Sequence, residues 1–207
     1  MRSIGRRFLR IWRVGLKSVY KYLFYLLITA FVGAYCNTPL QASGHYKKIL
    51  KRWTRHGTAF VVANLEAQLD WDATYLSDEF REASLDKMAP LLAMTPTEVA
   101  AERRENQAQE GRYDEFFIGA YAGSSDWPGM WKNTGDWSIV LEAADGDAVK
   151  PVRFERVTIT QREKILYPYL DRWDQAYRIT FPKTIHAGEK FTLRMTGIPA
   201  KSALVWR

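Results

Sequence analysis

The chain has 207 residues, 47% hydrophobic and 26% charged, which is enough apolar material for one core plus an extension. Its net charge of +7 is confined to one end: Arg2, Arg6, Arg7, Arg10, Arg13, Lys17 and Lys21 precede residue 43, the first acid is Glu66, and the remainder balances 23 basic against 23 acidic residues. A domain with no basic excess has little with which to neutralise phosphates, so nucleic acid is excluded as a partner, and a single cysteine, Cys36, excludes an intrachain disulfide.

Residues 1–21 are cationic, and residues 22–35, YLFYLLITAFVGAY, form an uncharged apolar run. A positive stretch followed by an apolar one is the pattern of a secretory signal. The run is shorter than the roughly 20 residues that span a bilayer comfortably. Segment 1–42 therefore reads as a signal peptide or signal anchor, with its cationic end in the cytoplasm and the rest of the chain carried across. Three fates compete: cleavage after Ala42, retention as an anchor with Tyr20, Tyr22 and Tyr25 at the interface, and lipidation at Cys36. The stretch ending in Cys36 resembles a bacterial lipoprotein signal, with Tyr35 standing where that family places Gly, Ala or Ser. The implied localisation is the periplasmic side of a bacterial inner membrane, or secretion into the periplasm.

Residues 37–44, NTPLQASG, read as a linker. Residues 45–56 are basic, with Tyr46, Ile49, Leu50 and Trp53 spaced for one helical face, so 43–57 is taken as a linker plus a short amphipathic helix ended by Gly57. That helix packs on the domain; lying on anionic headgroups is its alternative. Residues 58–65 read as a strand that runs on through Gln68, Leu69 and Trp71. A helix follows over 76–92, capped by Ser77 or Asp78, with Phe80, Leu85, Met88 and Leu92 as its apolar stripe. A second, polar helix starts at Thr95-Pro96-Thr97-Glu98, a capping box with proline at the first helical position, and ends near Gly111.

From Tyr113 the period shortens. Strands are expected over 114–122, 136–143, 150–160, 176–182, 189–196 and 202–206, separated by turn signals such as Asp145-Gly146-Asp147 and His186-Ala187-Gly188. Clean alternation in Phe191, Leu193 and Met195 points to antiparallel sheets with one wet face. The fold class that follows is mainly β with a helical insertion (α+β): an antiparallel β-sandwich of the Ig-like or jelly-roll type over 58–207, with the insertion at 76–110 after the first strand.

Chemistry is harder to find. His45, His56 and His186 are scattered, with no HExxH or i, i+4 pair, so no metal is expected and no cofactor is implied. There is no GxSxG and no phosphate loop, and no catalytic residue is assigned. Asp70, Asp72, Asp78 and Glu79 gather near one junction, and Asp171 and Asp174 flank Trp173; two such acids facing one another are what a glycan hydrolase needs. The feature that most resembles a ligand site is WPGMWKNTGDW at 127–137. There Trp127 and Trp131 offer rings to stack on sugars or anchor a protein, with Asp126, Lys132 and Asn133 to bond hydroxyls. Trp137 and Trp206 read as core, and Trp173 as a plug at a sheet edge. The chain thus reads as a noncatalytic envelope protein presenting a β-rich domain to a protein or polysaccharide partner. A carbohydrate-binding module and a carboxylate-dependent hydrolase are the alternatives.

Overall fold

The computed structural model describes residues 38–61, 66–121, 137–197 and 201–207. Residues 1–37 of the expected signal segment, Cys36 among them, lie outside those described. In chain order the elements are α1 (Thr38–Trp53), β1 (Thr54–Val61), β2 (Glu66–Tyr75), α2 (Asp78–Leu91), α3 (Pro96–Glu110), β3 (Tyr113–Tyr121), β4 (Trp137–Glu142), β5 (Ala148–Val149), β6 (Arg153–Val157), α4 (Gln161–Leu166), β7 (Gln175–Pro182), β8 (Phe191–Gly197) and β9 (Lys201–Trp206). The strands form two antiparallel sheets, ordered β1-β2-β3-β7-β6 and β5-β4-β8-β9. The fold is α+β and mostly β, as the alternation implies. From His45 onward the chain forms one unit.

Strand alternation decides the layers. On the first sheet Leu69, Trp71, Ala73, Tyr75, Phe116, Ile118, Tyr177 and Ile179 face one way, and they share a core with Ile139, Leu141, Phe191, Leu193, Met195, Leu204 and Trp206 of the second sheet. The opposite face carries Phe117 and Ala176, and helices cover it through Tyr46, Ile49, Leu50, Phe80, Ala83, Met88 and Leu166. The central strand β3 is consequently buried from Asp114 to Ala120.

Several expectations are corrected. The basic helix begins at Thr38, inside the supposed linker, because Pro39 falls in the first turn, where its missing N–H costs nothing. It ends at Trp53, and Gly57 lies within β1 rather than at a helix end. The single strand expected over 58–71 is two strands, β1 and β2, paired antiparallel with a bulge at Ala59/Phe60. The helical pair therefore follows the second strand, not the first. Leu92 leaves the apolar stripe and is half exposed, since α2 closes at Leu91. Of the strand expected over 150–160 only Arg153–Val157 is strand, β6; the two-residue β5 precedes it, and the short helix α4, missed from the sequence, follows it. Its start is written as Thr160-Gln161-Arg162-Glu163, a capping box like the one read correctly at Thr95–Glu98.

Gly57 shows why β1 takes this residue. A Cβ there would lie 2.7 Å from Leu204 Cδ2, 2.8 Å from Ser202 Oγ and 2.9 Å from Trp71 Nε1. The glycine lets the first sheet's edge strand approach β9, an approach also held by the Arg55 Nε donation to the Val205 carbonyl at 3.0 Å. Gly57→Ala is expected to cost about 1–3 kcal/mol of stability by overpacking this seam, measured by urea denaturation; an unchanged midpoint would contradict the close approach.

Candidate functional site

β2 leads from an acidic end of the first sheet to an aromatic cleft at the other. At the acidic end, His56 on β1 faces Asp70 and Asp72 on β2, because the register pairs His56 with Asp72 and Thr58 with Asp70. His56 Nδ1 lies 3.4 Å from Asp72 Oδ2, and Nε2 lies 3.5 Å from Asp70 Oδ1. Asp70 Oδ1 is itself buried and makes no hydrogen bond among the described residues. Burial pushes the Asp72 carboxyl up from its ordinary value, His56 draws it back, and Asp70 adds to the rise. Asp174 is raised too, first by burial and then by the charges of Asp171, Asp72 and Asp70, against the pull of the Asp171 amide. Asp70 and Asp72 on β2 thus act on Asp174 from across the fold. Asp78 and Glu79 lie in the first turn of α2, where Ser77 is the cap, and both line the aromatic cleft.

Trp173 does not plug an edge. It is 62% exposed, with the Arg172 guanidinium 4.6 Å from its ring centre, because Asp171 accepts from the Trp173 and Asp174 amides and holds the turn outward. Tyr167 and Tyr177, near it in sequence, are core: Tyr167 stacks on Phe117 at 3.7 Å, and Tyr177 packs on Phe154. Trp206 is buried, as read; β4 does begin at Trp137, but its side chain lies outside the described residues. Asp126, Trp127, Trp131, Lys132 and Asn133 also lie outside the described residues.

The aromatic cleft is the better-built site. Trp53, Tyr75, Phe191 and Trp206 form its floor, with Tyr75 5.6 Å from Trp53 and 5.1 Å from Phe191, and Phe191 stacked on Trp206 at 5.1 Å. The indole N–H groups are committed: Trp206 Nε1 donates to the Trp53 carbonyl at 2.8 Å, and Trp53 Nε1 to Glu79 Oε2 at 2.8 Å, while Arg52 takes the other Glu79 oxygen at 2.6 Å. Above them a cleft of about 540 Å³ opens between the start of α2 and the 183–189 loop. That volume falls within the roughly 300–1,000 Å³ of ordinary ligand sites. Among its lining residues, Ile185 and Ala187 are apolar, Lys183 and Glu189 are charged, and His186 is polar.

Asp114 holds the loop wall in place. Fully buried at the start of β3, its carboxylate accepts from Tyr75 Oη at 2.9 Å, Lys183 Nζ at 2.9 Å, and the Thr184 and Ile185 amides at 2.6 and 2.8 Å. Sequence reading missed Asp114 and its neighbour Glu115. The available signal was two acids opening an otherwise apolar strand. Among the described residues no group of three or more His, Cys, Asp or Glu is placed to hold a metal ion. Comparison with protein-family models, curated proteins and solved structures gives no match, so the site is read from its own geometry.

Two outcomes follow. Asp114→Ala strands a lysine, a phenol and two amides; the expected loss is about 3–5 kcal/mol in chemical denaturation, with faster hydrogen exchange in 183–189. Asp174→Asn is expected to raise the melting temperature at neutral pH. An acid raised in the folded state penalises folding while ionised, and that penalty fades as pH falls through its folded pKa. The gain over the parent chain should therefore vanish by about pH 3–4, near the ordinary aspartate value. A gain that persists at low pH would contradict the electrostatic cause.

Proposed function

We propose that the chain is a noncatalytic envelope protein, delivered to the periplasmic side of a bacterial inner membrane by segment 1–42, where it is anchored or released, and that its domain binds a protein partner in the aromatic cleft. The observation that carries the binding role is the cleft itself: an aromatic floor whose polar atoms are already hydrogen-bonded, below a charged edge. Such a floor has apolar contact to offer and little acid–base chemistry. An aromatic or aliphatic side chain of a partner is the ligand this chemistry suits. The confinement of basic residues to the first 42 positions supports delivery to the envelope. The two antiparallel sheets on one core support a sandwich of the broad Ig-like and jelly-roll kind.

Carbohydrate binding is the second reading, and exposed Trp173 favours it. Its ring stands beside Asp171, Asp174 and Gln175, a set suited to stacking on a sugar and bonding its hydroxyls. The same acids, with Asp72 and Asp174 raised, are where the hydrolase reading would have to find its general acid.

One experiment separates these readings: a photocrosslinking side chain placed at Ala187 in the cleft edge, at Arg172 beside Trp173, and at Val152, which is 61% exposed and does not line the cleft. In envelope fractions, position 187 is expected to give a discrete protein adduct that position 152 does not. An adduct from position 172 alone, containing glycan, would transfer the role to Trp173. Identical patterns from all three positions, or a chain found in the cytosol, would overturn the proposal.

A further inference from the structure

The helices on the outer face of the first sheet leave a second cleft, of about 200 Å³, between α2, α3 and α4. Phe80, Leu85 and Met88 line it with apolar surface, and three guanidiniums, of Arg81, Arg162 and Arg178, line it with charge. Arg81 is fixed, 2.6 Å from Glu115 Oε2 and 2.9 Å from the Leu76 carbonyl. Arg162 and Arg178 are exposed and have no ion-pair partner among the described residues.

Tyr167 sits among these three arginines. It is 4% exposed, its ring lies flat on Phe117, and among the described residues its hydroxyl has no hydrogen-bond partner. Burial raises its pKa, while Arg178, Arg81 and Arg162 pull it down, Glu163 acting the other way, and the balance keeps the hydroxyl a neutral donor. The acids nearby are mostly engaged elsewhere: Glu115 with Arg81, Glu163 with the Thr160 cap, and Glu155 with Arg153 at 3.8 Å. Glu102 lines the cleft from α3. The mouth is apolar and wet: Leu92, on the rim, is 52% exposed, and its neighbour Leu91 is 60% exposed. Ala93 takes φ 50° to turn the chain there, and Ile165 on α4 is 38% exposed.

We propose that this cleft receives the phosphate headgroup of an anionic phospholipid, with Leu91 and Leu92 entering the apolar boundary of the bilayer. The two unpaired guanidiniums meet the phosphate and the Tyr167 hydroxyl donates to it. The cleft lies below the roughly 300–1,000 Å³ of sites for drug-sized ligands, so a headgroup fits where a whole lipid does not. The exposed leucines flank the opening rather than the floor, which places them against whatever carries the headgroup. A free phosphate ion would leave them in water; acyl chains cover them. No residue of segment 1–42 enters this argument, so the site holds whether that segment anchors or is removed.

The test uses the full chain in nanodiscs of phosphatidylcholine, with or without phosphatidylglycerol, read by hydrogen exchange over 88–94 and 161–167. Protection of both stretches is expected only with the anionic lipid. Arg162→Gln/Arg178→Gln should weaken it by roughly fivefold per arginine in lipid titrations. Leu91→Ser/Leu92→Ser should abolish protection of 88–94 with an unchanged melting curve, since both side chains are already exposed. Inorganic phosphate added to phosphatidylcholine discs should protect neither stretch. Equal protection in both discs, no protection in either, protection that survives loss of both arginines, or protection by phosphate alone would each overturn the proposal.

Discussion

The strand Tyr113–Tyr121 is buried on both faces, and the rest of the domain is arranged around that constraint. An antiparallel strand usually has one wet face; this one has Phe116 and Ile118 against the second sheet and Phe117 against the helices. Its two leading acids are consequently trapped, one toward each layer. Each is satisfied from within, because a buried carboxylate without donors is costly. Asp114 gathers the 183–185 loop and Tyr75 on the side of the aromatic cleft. Glu115 gathers Arg81 and Thr180 on the side of the helices. The same strand thus holds lining residues of each cleft in place: Tyr75 and Lys183 through Asp114, and Arg81 through Glu115.

Much of the fold was legible because local physics wrote it twice. The capping box at Thr95–Glu98 and the alternation of Phe191, Leu193 and Met195 both mark their elements, and both stand. The errors fall where tertiary packing overrides a local signal. Gly57 looks like a helix stop, yet its missing side chain serves a contact with β9, more than 140 residues away in sequence. One error is local instead: Val157 and Ile159 alternate like one strand, yet β6 ends at Val157 and the capping box at Thr160 opens a helix just beyond it.

The candidate site was less legible, since it is assembled from distant positions. Trp53 was assigned to a helix face, Trp206 to the core and Phe191 to a strand, while Tyr75 was assigned to no element. Nothing in their spacing says that four rings converge, or that the indole N–H groups are spent on Glu79 and a carbonyl. Arg81, Arg162 and Arg178 come from two helices and a strand, and only the fold brings them to one hydroxyl. The acids at Asp70, Asp72 and Asp174 were visible as a composition. That Asp70 and Asp72 both face His56 depends on the pairing of β1 with β2, and the place of Asp174 depends on the turn that Asp171 holds.

Under the proposed reading, the basic apolar segment delivers the chain to the envelope and the aromatic and arginine clefts bind there. The central claim is topological, so the most direct measurement is protease accessibility of the full chain in spheroplasts of a double-membraned bacterial host. The account predicts that protease added outside intact spheroplasts digests a membrane-retained domain, or that the cleaved domain has already been released into the periplasmic fraction. A domain protected until the inner membrane is lysed would contradict it.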